Sequence, residues 1–327
     1  MASTFVKYRR PYQQSQLIQP VVGLEDDGMS SGLTRAYSKR EAGPLGLDEP
    51  AFPAAYRNST PIAVEHSLAD HPLLALDAVA DLADWLPRDS VICDTADQPL
   101  LVPEGGPPRG SEPRPGDVIR HLDEKRSWLT LLNIEQHSPY RDLMDGCLDQ
   151  VAAVIERRHG DMRRRAGFIF VSSPRSVTPA HFDIEHSLLL QIAGHKEVTV
   201  GRFATVAVEQ HERDRYWDGH HGRVEDLPVA IGTHDLLPGR GVYIPPVCPH
   251  WVRNGEAISV SMTLTFFSSD SERDQFVEAF NARLRRLRFH PRPRGTSPRV
   301  DSVKAGAMRV WQQRSRLIGR GNGSTHY

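Results

Sequence analysis

From Phe168 onward the apolar residues take a period near two, and the chain becomes a succession of short runs: 168–172, 187–193, 196–203, 241–245 and 257–267. Side chains alternate between faces along a strand, so each run presents one face inward. Short strands punctuated by Gly and Pro fit a mainly β jelly roll, a double-stranded β-helix with flanking helices. The mouth of such a barrel is where a ligand would enter.

The rest of the chain reads as support. At 327 residues it can bury a large core, and one domain with appendages fits better than two equal ones. Residues 1–58 show little periodicity and are expected to be mostly disordered or extended, with Tyr8-Arg9-Arg10-Pro11-Tyr12 as an alternative docking peptide. Residues 59–160 supply helices and strands. Leu73, Leu76, Val79, Ala80 and Leu82 recur at helical spacing, and residues 140–158 form a second amphipathic helix. Residues 90–93 and 128–134 read as strands, and the Pro/Gly-dense stretch 103–116 as a loop. The barrel spans 161–268. Residues 269–327 are expected to hold a helix with a stripe of Phe276, Phe280, Leu284 and Leu287, then a basic tail read as solvated and loosely ordered, with a tail that holds an acidic peptide or RNA phosphates as the alternative. That stripe would dock on the barrel or on a second copy, giving a homodimer through the C-terminal helix. An insert at about 205–235, rich in charge and His, reads as a solvated loop; His220-His221 beside Asp218 gives a weaker second-metal reading.

Inside the barrel region stands His181-Phe182-Asp183, with His250 following 67 residues after Asp183. Two residues apart on an extended strand, His181 and Asp183 point the same way and Phe182 points back into the fold. Adding His250 from a distant strand gives two imidazoles and one carboxylate on one face of a metal. That set suits Fe(II) and leaves positions open for a cosubstrate and dioxygen. In a chain with 15 His, an HxD pair alone is an ordinary strand histidine and a turn aspartate.

The surroundings raise the signal. Thr178-Pro179-Ala180-His181-Phe182-Asp183 is followed by Leu188-Leu189-Leu190-Gln191-Ile192-Ala193-Gly194-His195-Lys196, and later by Tyr243-Ile244-Pro245 leading to His250 and Asn254. This set, over roughly residues 168–266, resembles the cupin-like branch of the JmjC-domain Fe(II)/2-oxoglutarate oxygenases, particularly the asparaginyl-hydroxylase type. The resemblance implies Fe(II) on His181, Asp183 and His250, with Lys196 and Thr178 holding the far carboxylate of 2-oxoglutarate. Gln191 and Asn254 match positions near the cosubstrate. Ser187 stands where the asparaginyl-hydroxylase type often has Asn, which leaves the contact from that point, and the amino acid modified, open. The implied reaction is C–H hydroxylation coupled to decarboxylation of 2-oxoglutarate, releasing succinate and CO2. A peptide or protein side chain is the expected substrate. A free amino acid or natural-product intermediate, N-methyl-lysine demethylation, and a non-catalytic cupin-like binding or regulatory protein are the alternatives.

Composition excludes little else. Forty basic residues face 41 acidic ones, so no global charge pulls the chain towards nucleic acid or membrane, and neither is expected as a partner. No apolar run is long enough to span a bilayer. Cys93, Cys147 and Cys248 have no CxxC spacing and fit free thiols in a reducing cytoplasm.

Overall fold

The structure, a computed structural model, describes residues 43–47, 50–95, 114–122, 127–220 and 222–321. The expectations for residues 1–42 and for most of the 103–116 loop lie outside these.

The chain opens with β1 (Leu45–Gly46), α1 (Ala51–Asn58), β2 (Ile62–His66) and α2 (Leu76–Trp85). There follow β3 (Val91–Thr95), α3 (Pro115–Arg120), β4 (Ser127–Leu132) and α4 (Ser138–His159). The barrel strands begin with β5 (Met162–Ser172), β6 (Val177–His181), β7 (His186–Ala193) and β8 (Lys196–Arg202). After α5 (Val206–Arg215) come β9 (Val229–Leu236), β10 (Arg240–Ile244), β11 (His250–Asn254) and β12 (Ser259–Ser268). Helices α6 (Ser269–Arg286) and α7 (Pro298–Gly321) end the described chain.

Two sheets form, ordered β1-β2-β10-β7-β12-β5-β4-β3 and β6-β11-β8-β9. Strands β5 to β12 divide four and four between them, every pairing is antiparallel, and the result is a double-stranded β-helix. The alternation along β12 shows how sequence sets the layers. Val260, Met262, Leu264 and Phe266 join the core beneath the helices, alongside Val79 of α2 and Leu148 of α4. Ser261, Thr263 and Thr265 alternate with them and are also buried, so they face into the barrel. Strand β7 repeats this, with Leu188 and Leu190 in the helix-side core and Leu189 in a second cluster with Val198, Val200 and Val252. Burial on both faces explains the continuous apolar run Leu188-Leu189-Leu190. At the β7–β8 turn Gly194 has φ 71°, and a Cβ there would lie 2.3 Å from the Ile258 carbonyl oxygen. Only glycine fits that crossing.

Four expectations need correction. The segment to residue 58 includes α1, because Phe52 and Tyr56 find a large aromatic surface: Phe52 lies 5.4 Å from the Tyr243 ring and Tyr56 stacks 4.6 Å from His186. The 205–235 insert is not a loop. Thr205 caps α5 by accepting from Val208 N–H, and β9 pairs along the whole of β8. The C-terminal tail is helical for 24 residues. Finally, the Phe276 stripe meets the helix that follows it as well as the barrel, where Arg164 of β5 lies 5.6 Å over the Phe276 ring. Phe276, Val277 and Ala279 pack against Ala305 and Met308 of α7, while Leu287 lies past the helix end and is 68% exposed.

Candidate metal and cosubstrate site

His181 ends β6 and His250 begins β11, and the two are directly paired across those strands. Residues directly opposite in an antiparallel pair share a face, and their ring centroids are 4.2 Å apart. Asp183 is not on the strand. The chain leaves β6 at His181, and the turn is fixed by Phe182 N–H donating to Gly222 O and Val247 N–H donating to Asp183 O. This turn carries the Asp183 carboxylate to 3.9 Å from His250 Nε2. One donor atom from each of His181, Asp183 and His250 lies within 4.8 Å of the others, the only such group of three among the described residues.

Both imidazoles are oriented through the other nitrogen. His181 Nδ1 meets Pro179 O at 2.8 Å, and His250 Nδ1 meets Cys248 O at 3.0 Å. A carbonyl only accepts, so each Nδ1 carries a proton, and Nε2 is the nitrogen left to offer a lone pair to a metal. Burial, then the neighbouring His250 and Arg223 charges, push the His181 pKa well below its usual value. Burial pushes Asp183 up. Two imidazoles converging with a desolvated carboxylate are the donor set for a divalent cation.

Phe182 turns away as its alternation requires. It is 1% exposed, in a cluster with Phe203, Trp251 and Phe267, 5.7 Å from the Tyr216 ring. Gly222, at φ 79°, closes over this point: a Cβ would lie 2.1 Å from Phe182 O. Gly222→Ala is therefore expected to displace the Phe182–Asp183 turn and weaken metal binding by about tenfold or more, while far-ultraviolet dichroism stays native. Titration with Mn(II) monitored by paramagnetic resonance measures this, and unchanged affinity would show the turn to be tolerant.

Lys196 begins β8 and is 3% exposed. Its Nζ donates to Ser261 Oγ at 2.7 Å and lies 5.7 Å over the Phe170 ring. No carboxylate pairs with it among the described residues, and burial pulls its pKa down to about 7. Asn254 lies directly opposite on β11, and four residues along that strand is His250. That separation is roughly 13 Å at strand rise. Thr178 is opposite Val252, whose side chain belongs to the barrel-interior cluster, so Thr178 faces the same interior. Gln191 donates through Nε2 to Ala193 O and Ser259 Oγ, and Asn254 through Nδ2 to Ser176 Oγ; their carboxamide oxygens are buried without a protein partner. Ser187 faces inward between Ile244 and Thr265. The hydroxyls of Thr130 and Thr263 are also buried without a partner. Such orphaned polar atoms around a carboxylate-free lysine fit a chamber that holds a polar anion and water.

Sequence reasoning missed three neighbours. Ser261 is one, and only the strand register puts it under Lys196. Glu185, two residues after Asp183, is 5% exposed, and burial reinforced by the Asp183 charge pushes its pKa to about 8. Tyr216 feels the Glu185 and Asp183 charges, and with burial as the larger cause its phenol is pushed well above the usual value. The acid two residues from Asp183 was visible; Tyr216 lies in the insert that reads as a solvated loop. The second-metal reading loses Asp218, which is ion-paired to Arg286 at 3.0 Å, and His221 lies outside the described residues.

No family model and no curated protein matches the chain. Among solved structures it is similar to Escherichia coli YcfD, described as a ribosomal oxygenase. One YcfD structure aligns with TM-score 0.49 and 18% identity over 83% of this chain and 69% of that one. Another, in complex with cobalt and 2-oxoglutarate, aligns with TM-score 0.45 and 19% identity over 83% and 68%. An 11S globulin from Wrightia tinctoria aligns over 32% of this chain with TM-score 0.23 and 11% identity.

Proposed function

We propose that this protein is an Fe(II)/2-oxoglutarate-dependent hydroxylase of the cupin-like JmjC type, acting on a side chain of a peptide or protein. One observation carries the reading. A buried lysine without a carboxylate partner shares a barrel interior with two imidazoles and a carboxylate whose donor atoms converge within 4.8 Å. A buried ammonium without a counter-charge is costly, and a five-carbon diacid chelating at the metal end would supply one.

In this reading His181 and His250 offer Nε2 and Asp183 an oxygen to the iron. Lys196, supported by Ser261, receives the distal carboxylate, and Thr178 faces the same chamber. When bound, iron and 2-oxoglutarate together activate dioxygen, so that one oxygen atom enters the substrate C–H bond and the other enters succinate as CO2 leaves. The chain's own contribution is positional. It fixes the imidazole tautomers, keeps Asp183 in its turn, and encloses the cosubstrate between hydrophobic walls formed by Leu189, Val198 and Val252.

The substrate belongs to the proposal and not to the geometry; a free amino acid or natural-product intermediate is the small-molecule alternative. Because α7 of the same chain covers Phe276 and Val277, a homodimer through the C-terminal helix would use the parts of that region that α7 leaves exposed. The proposal includes a reducing, cytoplasmic setting, supported by three free thiols. Among the described residues no helix is long and apolar enough to cross a membrane.

The decisive experiment is an anaerobic titration of apoprotein with Fe(II) and 2-oxoglutarate, following the visible iron-to-ketoacid charge-transfer band. A band that disappears in His181→Ala is expected. A folded protein with no band would overturn the oxygenase reading and favour a binding module.

A further inference from the structure

We propose that the α6–α7 hairpin carries a binding face for single-stranded nucleic acid. The argument begins with charge. Residues 283–314 contain ten Lys and Arg and one acid, Asp301, in a chain whose net charge over all 327 residues is −1. The imbalance is confined to one structural unit.

Four of these arginines are neutralised by other parts of the chain. Arg285 holds Asp214, Arg286 holds Asp218, Arg294 holds Asp274, and Arg309 holds Glu272. Arg283, Arg288, Arg292, Arg299 and Arg314 pair with no carboxylate among the described residues, and all but Arg283 are exposed. Arg283 lies 5.6 Å over the Trp311 ring, and its pKa is lowered by burial and by Arg286. The segment joining the helices is not loose. Asn281 Nδ2 and Lys304 Nζ both donate to Arg292 O, and Gly295 N–H donates to Asp301. Arg288 and Arg292 are thus presented from an anchored arm.

Aromatic surface stands among the arginines. Trp311 is 57% exposed and Phe289 60%. The sequence, read linearly, shows no aromatic interleaving in the tail; the hairpin creates it by bringing Trp311 to Arg283 across the two helices. Exposed aromatic faces for bases, with arginine forks for phosphates, are what a single-stranded nucleic acid requires.

Other occupants fit less well. On α7, Arg299 and Arg314 project within about 60° of each other and roughly 22 Å apart, on the same side as exposed Val303 and Val310. A membrane-lying helix keeps its charges on the polar face, and here they sit within the apolar strip. A second copy docking face to face would set these arginines against one another.

The test uses the full chain and fluorescence anisotropy with a short labelled oligouridylate and its DNA counterpart, between about 50 and 200 mM salt. Binding is expected to weaken steeply with salt. The fourfold variant Arg288→Gln, Arg292→Gln, Arg299→Gln, Arg314→Gln should reduce the log–log salt slope by about 3. Trp311→Ala should weaken binding about tenfold at unchanged slope. Because these side chains carry no ion pair, thermal unfolding is expected to be unaltered, and Trp311→Ala gives a second reading should the fourfold variant misfold. Preference between RNA and DNA identifies the source of the strand. Absence of binding at the lowest salt, a slope unaffected by the arginine changes, equal affinity for acidic-phospholipid vesicles, or a dimer that the arginine changes abolish would each overturn the proposal.

Discussion

Asp183→Asn is expected to yield an apoprotein that is more stable than the parent and no longer holds iron. The carboxylate sits in a largely desolvated turn, and burial raises its pKa. A raised carboxylate pKa means the folded chain binds protons that the unfolded chain has already released. Stability therefore falls as pH rises from the ordinary carboxylate value through the folded one, and the deficit persists at neutral pH. Asparagine has the same shape and no charge to desolvate, so the deficit disappears, and each kcal/mol recovered raises Tm by roughly 2–4 °C. Metal affinity moves the opposite way. Loss of an outer hydrogen-bond partner costs up to about 100-fold, and loss of the one anionic donor should exceed that. Thermal unfolding in chelator, paired with Mn(II) titration, separates the two effects. A variant that is less stable as apoprotein and binds metal normally would show Asp183 to be a structural turn residue.

Much of this architecture was legible because strand period is rigid. The alternation from residue 168, Gly194 before Lys196, and the pairing of His181 with His250 all survive as register in the folded chain. What was not legible depends on partners far away in sequence. Residues 206–215 look solvated because α5 buries only Glu212, while β9 is exposed along most of its length and exists because β8 offers it an edge. The basic tail looks unstructured by charge, yet its helix is held by Ala305 and Met308 against Phe276 and Val277. Asp183 reached the site by a turn, not a strand, because Gly222 O accepts from Phe182 N–H and Val247 N–H donates to Asp183 O. Ser261 beneath Lys196 is a matter of strand register, which spacing alone does not reveal.

Lys196→Met should be the most stabilising single change in the ligand-free protein and the most damaging for cosubstrate. Burial lowers the lysine pKa from 10.5 to about 7. Between those values the unfolded chain is protonated and the folded chain is not, so apoprotein stability should rise with pH across that window, by an amount on the order of 3–5 kcal/mol. Below about pH 7 both states are protonated and the full deficit is present. Methionine fills a similar volume without charge; its gain is reduced by about 1 kcal/mol for the hydrogen bond lost at Ser261. The variant's stability should be flatter between pH 7 and 10. Its 2-oxoglutarate affinity should fall by 100-fold or more, since the diacid would meet a buried apolar end. In the parent the diacid favours the charged lysine, so binding above pH 7 takes up a proton and affinity should decline by up to tenfold per pH unit. Urea unfolding across this range and calorimetric titration in buffers of different ionisation enthalpy measure both. Parent stability that is flat from pH 7 to 10, or a methionine variant that binds 2-oxoglutarate within threefold of the parent, would remove Lys196 from the cosubstrate site. If both results hold, the lysine is retained at a cost to the empty fold that only an anionic ligand offsets.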